Sequence, residues 1–527
     1  MNLARSLGSV GGLTLVSRIL ALVRDTLQAS YVGASFASDA FFVAFRLPNM
    51  FRALFAEGAF SAAFIPMFNR KVGEADDLNA GLRFAEQTLA VLLPVLFVFT
   101  VIMLIAAWPI TWGLSGGFKN PTHEQFAFAV TLSRITIPYL MLISLASLLG
   151  GILNSLNRFW VNAAAPILLN IAMVAALWFF HGHDAYETAR AQAISVTVGG
   201  VLQLGWLIIA CKQAGVGLAI RRPRIDDDLR QLLKLILPAA IGAGAVQVNL
   251  AISTALAGGL LDPGSISYIY YADPLNQLPL GLIGTGLGTI LLPTVSRQLS
   301  QKRDKEAMDT QNRGIELALF LTLPATIAFV FASEPIIRGL FQHGHFTAID
   351  SVRCSWALSA FSLGLPSYVL VKVLTPGYYA RHDTRTPVRY AIQSVGVNLV
   401  GNLTLIPLLG RFGYGHVGPP LATALASTLN VWMLYRTLKK RGHFITDAQL
   451  RRRVPRLALA ALIMGAALFF ITPAVSPYLT GSILRRGGGL VVLVGAGMLV
   501  YAVGCFLTGA FALDDVKLLL RRRAREA

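Results

Sequence analysis

Long apolar runs alternate with short polar ones along the whole chain. A helix needs roughly 20 apolar residues to cross the hydrocarbon core of a bilayer, and about fourteen stretches reach that length. The expected spans are 7–32, 37–69, 84–112, 126–156, 160–180, 188–211, 230–260, 265–296, 312–335, 350–376, 387–409, 414–437, 455–474 and 488–512. Proline lies inside many of them, at Pro48, Pro66, Pro138, Pro279, Pro293 and Pro366 among others. Packed membrane helices tolerate it, often as a kink, because neighbours satisfy the freed backbone groups. The pattern predicts an all-α polytopic membrane protein of about 14 transmembrane helices.

Composition narrows the class. Of 527 residues, 55% are hydrophobic and only 13% charged, with mean hydropathy +0.62. Soluble domains carry about 25% charged residues. Half that share leaves too little polar surface for a water-soluble globule, and a disordered chain is excluded for the same reason. Cys211, Cys354 and Cys505 are too few and too scattered for a disulfide framework or a metal site. No cofactor is expected.

A net charge of +19 suits a nucleic-acid binder only if it gathers on one face. Here it spreads over loops. With the N-terminus in the cytoplasm, the inner side holds Arg70 and Lys71, then Lys212, Arg221, Arg222 and Arg224, then Lys302, Arg303 and Lys305. It also holds Arg381, Arg385 and Arg389, the run from Lys439 to Arg456, and the tail Lys517 to Arg525. Roughly thirty basic residues fall inside against about six outside, as the positive-inside rule expects. An odd number of spans would put the tail outside, so an even number is expected, with both termini in the cytoplasm. The loops then face anionic lipid, and nucleic acid is not expected as a partner. Arg18, Arg24 and Asp25 interrupt the first apolar run, and no small-x-small site follows. The first helix is therefore expected to be kept rather than cleaved.

Two halves echo each other. Arg46 precedes Pro66 by 20 residues, and Asp273 precedes Pro293 by 20. Asn154, Asn157, Arg158 and Phe159 lead to Pro166 and Asn170, as Arg381, His382, Asp383 and Arg385 lead to Pro387 and Asn398. The expected organisation is an N-lobe of helices 1–6 over 1–225 and a C-lobe of helices 7–12 over 226–445. Helices 13–14 and a basic tail occupy 446–527. Facing repeats are a transporter signature, with the substrate path between them.

The informative charges lie within the first two spans. The first carries Ser17, Arg18, Arg24 and Asp25, and the second Asp39, Arg46, Asn49, Arg52 and Glu57. A charge near the bilayer centre costs several kcal/mol, so it must face water, a partner or the bundle interior. Arg18 and Asp25 are seven residues apart, which places them about 20° apart on a helix. Ser17 with Arg24, and Asp39 with Arg46, repeat that relation. Four arginines on two adjacent helices form a net-positive wall, and the planar guanidinium fork matches two phosphate oxygens. The competing reading is internal ion pairs with snorkelling ends, strongest for Arg24 and Asp39 near the expected outer ends. Arg46 can also be read as pairing with Asp39 on its own helix. Asp25, Glu57 and Asp273 are candidates for charge balance or ion coupling. Lys372 is a candidate second cation, or a snorkelling end.

These residues carry a resemblance. The stretch Asp39 to Asn49 reads DAFFVAFRLPN and leads through Arg52 to Phe55-Ala56-Glu57-Gly58-Ala59-Phe60-Ser61. It resembles the signature of the MurJ (MviN) lipid II flippases. Ser17-Arg18, Arg24-Asp25, Asn154 to Phe159, Tyr271-Ala272-Asp273, Gly288 to Pro293 and Val371-Lys372-Val373-Leu374 with Pro376-Gly377 match as well, over essentially the whole chain. The resemblance implies the exporter fold shared with multidrug and oligosaccharidyl-lipid transporters, with a central cavity and a lipid-tail groove shaped by the last two helices. It implies transport of lipid II, the undecaprenyl-pyrophosphate-linked peptidoglycan precursor, from the cytoplasmic to the periplasmic leaflet of the bacterial inner membrane. Arg18, Arg24 and Arg52 match the family's cavity arginines, and Asp39 and Asn49 its other second-helix polar positions. The family commonly has arginine after the Tyr-Ala-Asp of the eighth helix; Pro274 stands there, followed by Asn276 and Gln277. A monomer is expected, with cell-wall synthesis proteins as candidate partners.

Other signals are weaker. Gly281, Gly284, Gly286 and Gly288 lie in a membrane span with no preceding strand, so close helix packing is the better reading. His181-Gly-His183 and His343-Gly-His345 lack the further ligands a metal site needs, and no metal is expected. Asp226-Asp227-Asp228 reads as a solvated acidic patch in a basic loop. The alternative function is a related exporter of another polyprenyl-linked oligosaccharide; four arginines argue against cationic drugs. A membrane enzyme acting on polyprenyl phosphates needs acidic metal clusters or nucleophile sets, and none is convincing, so no enzyme is expected. A scaffold has no use for arginines at membrane depth.

Overall fold

The computed structural model describes residues 3–55 and 59–510. The described chain is helical, with no strand among those residues. Two compact units divide it, Met1–Ser267 with His343–Phe346, and Tyr268–Gln342 with Thr347–Ala527. By packing, the division falls after Ser267.

The first unit holds α1 (Leu3–Val32), α2 (Phe36–Phe55), α3 (Ala59–Ala75), α4 (Leu78–Ile105), α5 (Ala107–Ser115), α6 (His123–Thr136), α7 (Tyr139–Ser155), α8 (Phe159–Phe179), α9 (Ala185–Gln213) and α10 (Asp227–Leu260). α1 packs on α8, and α8 on α9. α10 stays with this unit because it packs on α2, α3 and α5. Its approach to α5 is backbone to backbone. A Cβ on Gly258 would stand 2.2 Å from the Ser115 carbonyl oxygen, and one on Gly116 2.1 Å from that of Ala255. Gly116 also has φ +61°, a left-handed end to α5 that glycine adopts without strain. Lys71 on α3 pairs with Asp228 at 2.8 Å, and Asp226 caps α10 by accepting from Leu229 N at 2.8 Å. The three-aspartate run is thus a helix start, where carboxylates favour the positive end of the dipole.

The second unit holds α11 (Ser265–Ser300, whose first turn lies in the first unit), α12 (Asp304–Phe331), α13 (Ser333–Phe341), α14 (Ala348–Leu363), α15 (Leu365–Tyr379), α16 (Arg385–Gly410), α17 (Gly418–Lys440), α18 (Ala448–Val475) and α19 (Ile483–Leu507). Leu291, Val373, Tyr378, Leu434 and Phe444 form one core. Leu457, Met464, Leu468, Leu493 and Tyr501 form another, where α18 and α19 pack together. The Tyr501 hydroxyl ties α19 to α12 by donating to the Phe320 carbonyl at 2.8 Å. In the loop before α16, Asp383 accepts from Thr386 Oγ1 at 2.6 Å and Arg441 Nη1 at 2.6 Å. Burial raises the Asp383 carboxyl, but the Thr386 and Arg441 bonds outweigh it and hold it at about 2. This lowered value stabilises the clasp above the ordinary carboxylate range and is lost as pH falls through about 2.

Ten stretches among the described residues are long and apolar enough to cross a membrane. Expected spans 1, 2, 7 and 12 also form helices but are not among those ten. For the second the reason is the charge it carries, with Asp39, Arg46 and Arg52 within the twenty residues of α2. Several expected spans are jointed pairs: α4 and α5 turn at Ala106, α6 and α7 at Ile137-Pro138, and α14 and α15 at Gly364. The expected 37–69 span is divided between α2 and α3. Glu57 and the basic tail from Lys517 lie outside the described residues.

Candidate functional site

The sequence places its cationic cluster on α1 and α2, and the structure sorts those residues by environment. Arg18 is exposed on α1. Arg24, two turns on, is nearly enclosed, with a side chain 12% exposed. Its Nε and Nη2 both donate to Asp25 Oδ1, at 2.9 and 2.7 Å. Its Nη1 donates to Asn170 Oδ1 on α8 at 3.1 Å. Asn170 in turn donates through Nδ2 to the Ser17 carbonyl and hydroxyl, at 3.1 and 3.3 Å. One amide on α8 therefore bridges two turns of α1 and orients the guanidinium. Asp25 is buried, and its carboxylate neutralises Arg24 at contact distance. Asp25 lies about 20° from Arg18 around α1, and that side of the helix is buried at Asp25 and exposed at Arg18.

On α2, Arg52 Nε donates to Asn49 Oδ1 at 3.0 Å, one turn back. Arg46 donates from Nη2 to Thr254 Oγ1 on α10 at 2.6 Å. Asp39 turns elsewhere and is 2% exposed. Its Oδ2 accepts from Gly264 N at 2.7 Å, and its Oδ1 from Ser267 N at 2.8 Å and Ser267 Oγ at 2.5 Å. Asp39 thus caps the first turn of α11, where a carboxylate satisfies orphan N–H groups and favours the dipole. Asp39 and Arg46 are two turns apart, a rise of about 10 Å, too far for the direct pairing the sequence suggested. Residues three or four apart meet on a helix; residues seven apart do not.

This cap yields a prediction. Asp39→Asn keeps one acceptor and turns an NH2 group toward an N–H donor. A hydrogen bond to a charged group contributes about 1.5–3 kcal/mol. Amide exchange at Gly264 and Ser267 is expected to speed up ten- to hundredfold, roughly, by hydrogen-exchange mass spectrometry. Unchanged exchange there would remove Asp39 as the cap.

In the second unit, Asp273 Oδ2 accepts from Gln277 Nε2 at 2.6 Å. Lys372 is exposed, and its stem lies against Gly284 of α11, where a Cβ would stand 2.8 Å from Lys372 Cδ. Pro274 sits inside the unbroken α11. Among the described residues, no group of three or more His, Cys, Asp or Glu is arranged to hold a metal. The sequence reading did not assign Asn170, Thr254, Gly264 or Ser267 to the site. Only Asn170 had left a mark, as a repeat position.

The family description "Lipid II flippase MurJ" matches residues 28–488. A protein of Rhizobium tropici described as a probable lipid II flippase MurJ is 40% identical, over 99% of this chain and 97% of its own. The chain belongs to the MurJ family. Another member, the lipid II flippase MurJ of Burkholderia cenocepacia, is 35% identical over 89% of this chain and 90% of its own. A solved structure of a MurJ in an inward closed conformation superposes with a TM-score of 0.77 at 26% identity, covering 94% of this chain and 98% of that one. An inward-facing multidrug transporter of the MATE family, in the MOP superfamily, matches at a TM-score of 0.66 and 15% identity, over 81% and 94% of the two chains. That second likeness concerns the fold alone. The chain is thus a multi-pass helical membrane protein of a transporter family.

Proposed function

We propose that this chain carries lipid II from the cytoplasmic to the periplasmic leaflet of the bacterial inner membrane by alternating access, as a carrier with no catalytic step. Fourteen crossings put both termini in the cytoplasm, and the basic inner loops contact anionic lipid. Arg18, Arg24 and Arg52 grip the pyrophosphate, and Asp25 balances Arg24. The observation that carries this reading is α1 itself: a membrane helix of a MurJ-family chain that leaves Arg18 exposed and holds Arg24 in a set orientation. Guanidinium groups kept at that depth suit a doubly charged phosphate ligand and repel cationic cargo.

The test is reconstitution of the full chain into vesicles with fluorescently labelled lipid II in one leaflet. Transfer to the other leaflet is expected under an imposed membrane potential, and no transfer by the unmutated chain under any imposed gradient overturns the reading. Transfer of a polyprenyl-linked oligosaccharide in preference to lipid II would favour the related-exporter alternative.

A further inference from the structure

Three arginines meet at one corner of the second unit, at the end that the proposed orientation assigns to the outer leaflet. Arg338 lies on α13, and Arg485 and Arg486 lie in the first turn of α19. Arg338 Nη1 donates to Ser476 Oγ at 3.2 Å, at the start of the short turn Ser476–Tyr478 that follows α18. The Arg485 guanidinium stands 5.3 Å from the centroid of the Tyr478 ring in that same turn. Leu490 closes the corner from the other side, since a Cβ on Gly339 of α13 would stand 2.9 Å from it. Arg338 and Arg485 thus both reach the same short turn, and Arg486 follows Arg485 in the chain.

The corner is strongly cationic. The segments 331–342 and 475–490 together contain these three arginines and one acid, Glu334. Arg486 is 9% exposed, and the Arg338 Nε is buried with no hydrogen-bond partner. A buried N–H without an acceptor is costly, and an anion at the corner would supply one. Beside the arginines, Leu484 is 89% and Val491 73% exposed. Such apolar exposure suits lipid chains, so the arginines sit where hydrocarbon meets headgroups. Topology does not explain them, because the positive-inside rule favours cations on the opposite side.

We propose that this corner is a binding subsite for the phosphate group of a lipid in the outer leaflet. The planar forks match phosphate oxygens in pairs, and the positive end of the α19 dipole adds to them. The lipid chains lie along the apolar surface of α19. The phosphate belongs either to a resident phospholipid or to a polyprenyl pyrophosphate lipid, and the chemistry of capture is the same. The inference rests on the proposed orientation and not on the transport step.

The test measures binding and not transfer, so its outcome is separate from that of the vesicle assay. The full chain is placed in phosphatidylcholine nanodiscs doped with phosphatidylglycerol in one arm and with undecaprenyl pyrophosphate in the other. Lipids retained per protein are counted by native mass spectrometry. The unmutated chain should retain one doped lipid, and the variant R338Q/R485Q/R486Q should retain it at least tenfold less. Arg411→Gln, at another exposed loop of the same unit, serves as the control and should change nothing. The doped lipid retained at the lower mole fraction identifies the source. If the triple variant does not fold, Arg485→Gln alone, which loses only the ring contact, should still weaken retention severalfold. Equal retention by the unmutated and arginine-substituted chains overturns the proposal and leaves simple snorkelling. So does equal loss on Arg411→Gln.

Discussion

Arg18→Ala should reduce leaflet transfer of lipid II at least a hundredfold while leaving the melting temperature of the solubilised protein unchanged. The exposed Arg18 side chain contributes little to packing, so its removal opens no cavity. In the proposed function the exposed Arg18 guanidinium is free to meet the substrate phosphate. A forked pair of charge-assisted bonds to phosphate contributes about 1.5–3 kcal/mol per bond. Losing both amounts to at least two orders of magnitude in binding, roughly. Arg18→Lys keeps the charge and loses the fork, so it should fall between the two. A full rate in the alanine variant would reduce the arginines of α1 to structural ion pairs.

Arg24→Ala should differ in kind. Asp25 is 4% exposed and receives two bonds from Arg24, at 2.9 and 2.7 Å. Removing the guanidinium leaves an unpaired buried carboxylate, which costs about 3–5 kcal/mol. Asn170 also loses the donor on one side of its bridge between Arg24 and Ser17. The variant should melt at a clearly lower temperature and lose transfer as well. The double variant R24A/D25N removes the stranded charge. It should regain most of the stability and none of the transfer. Recovery of both would mean that Arg24 serves only to neutralise Asp25. Failure to recover stability would mean that the Asn170 bridge, and not the ion pair, holds α1 to α8.

The helical class, the positions of most spans and the cationic character of α1 and α2 were legible because each is a local property. Apolar run length marks a membrane helix, and a charge within such a run stands out against it. The family signature around Asp39 to Asn49 is likewise contiguous. The jointed spans were less legible. Ala106 and Gly364 turn the chain without breaking its apolar pattern, so α4 with α5, and α14 with α15, read as single segments.

The sequence by itself determined that this is a helical membrane chain of the MurJ family with arginines set within apolar runs. Only the tertiary structure decided what each polar residue does with its hydrogen bonds. Arg24 meets Asn170 across 146 residues, Arg46 meets Thr254 across 208, and Asp39 meets Gly264 and Ser267 across 225 and 228. No periodicity on α1 or α2 encodes those partners. A buried polar group must find a partner wherever packing brings one, and the packing of α1 on α8 and of α2 on α10 is a property of the whole fold. The same chain therefore advertises its charges locally and conceals their pairing until the helices are assembled.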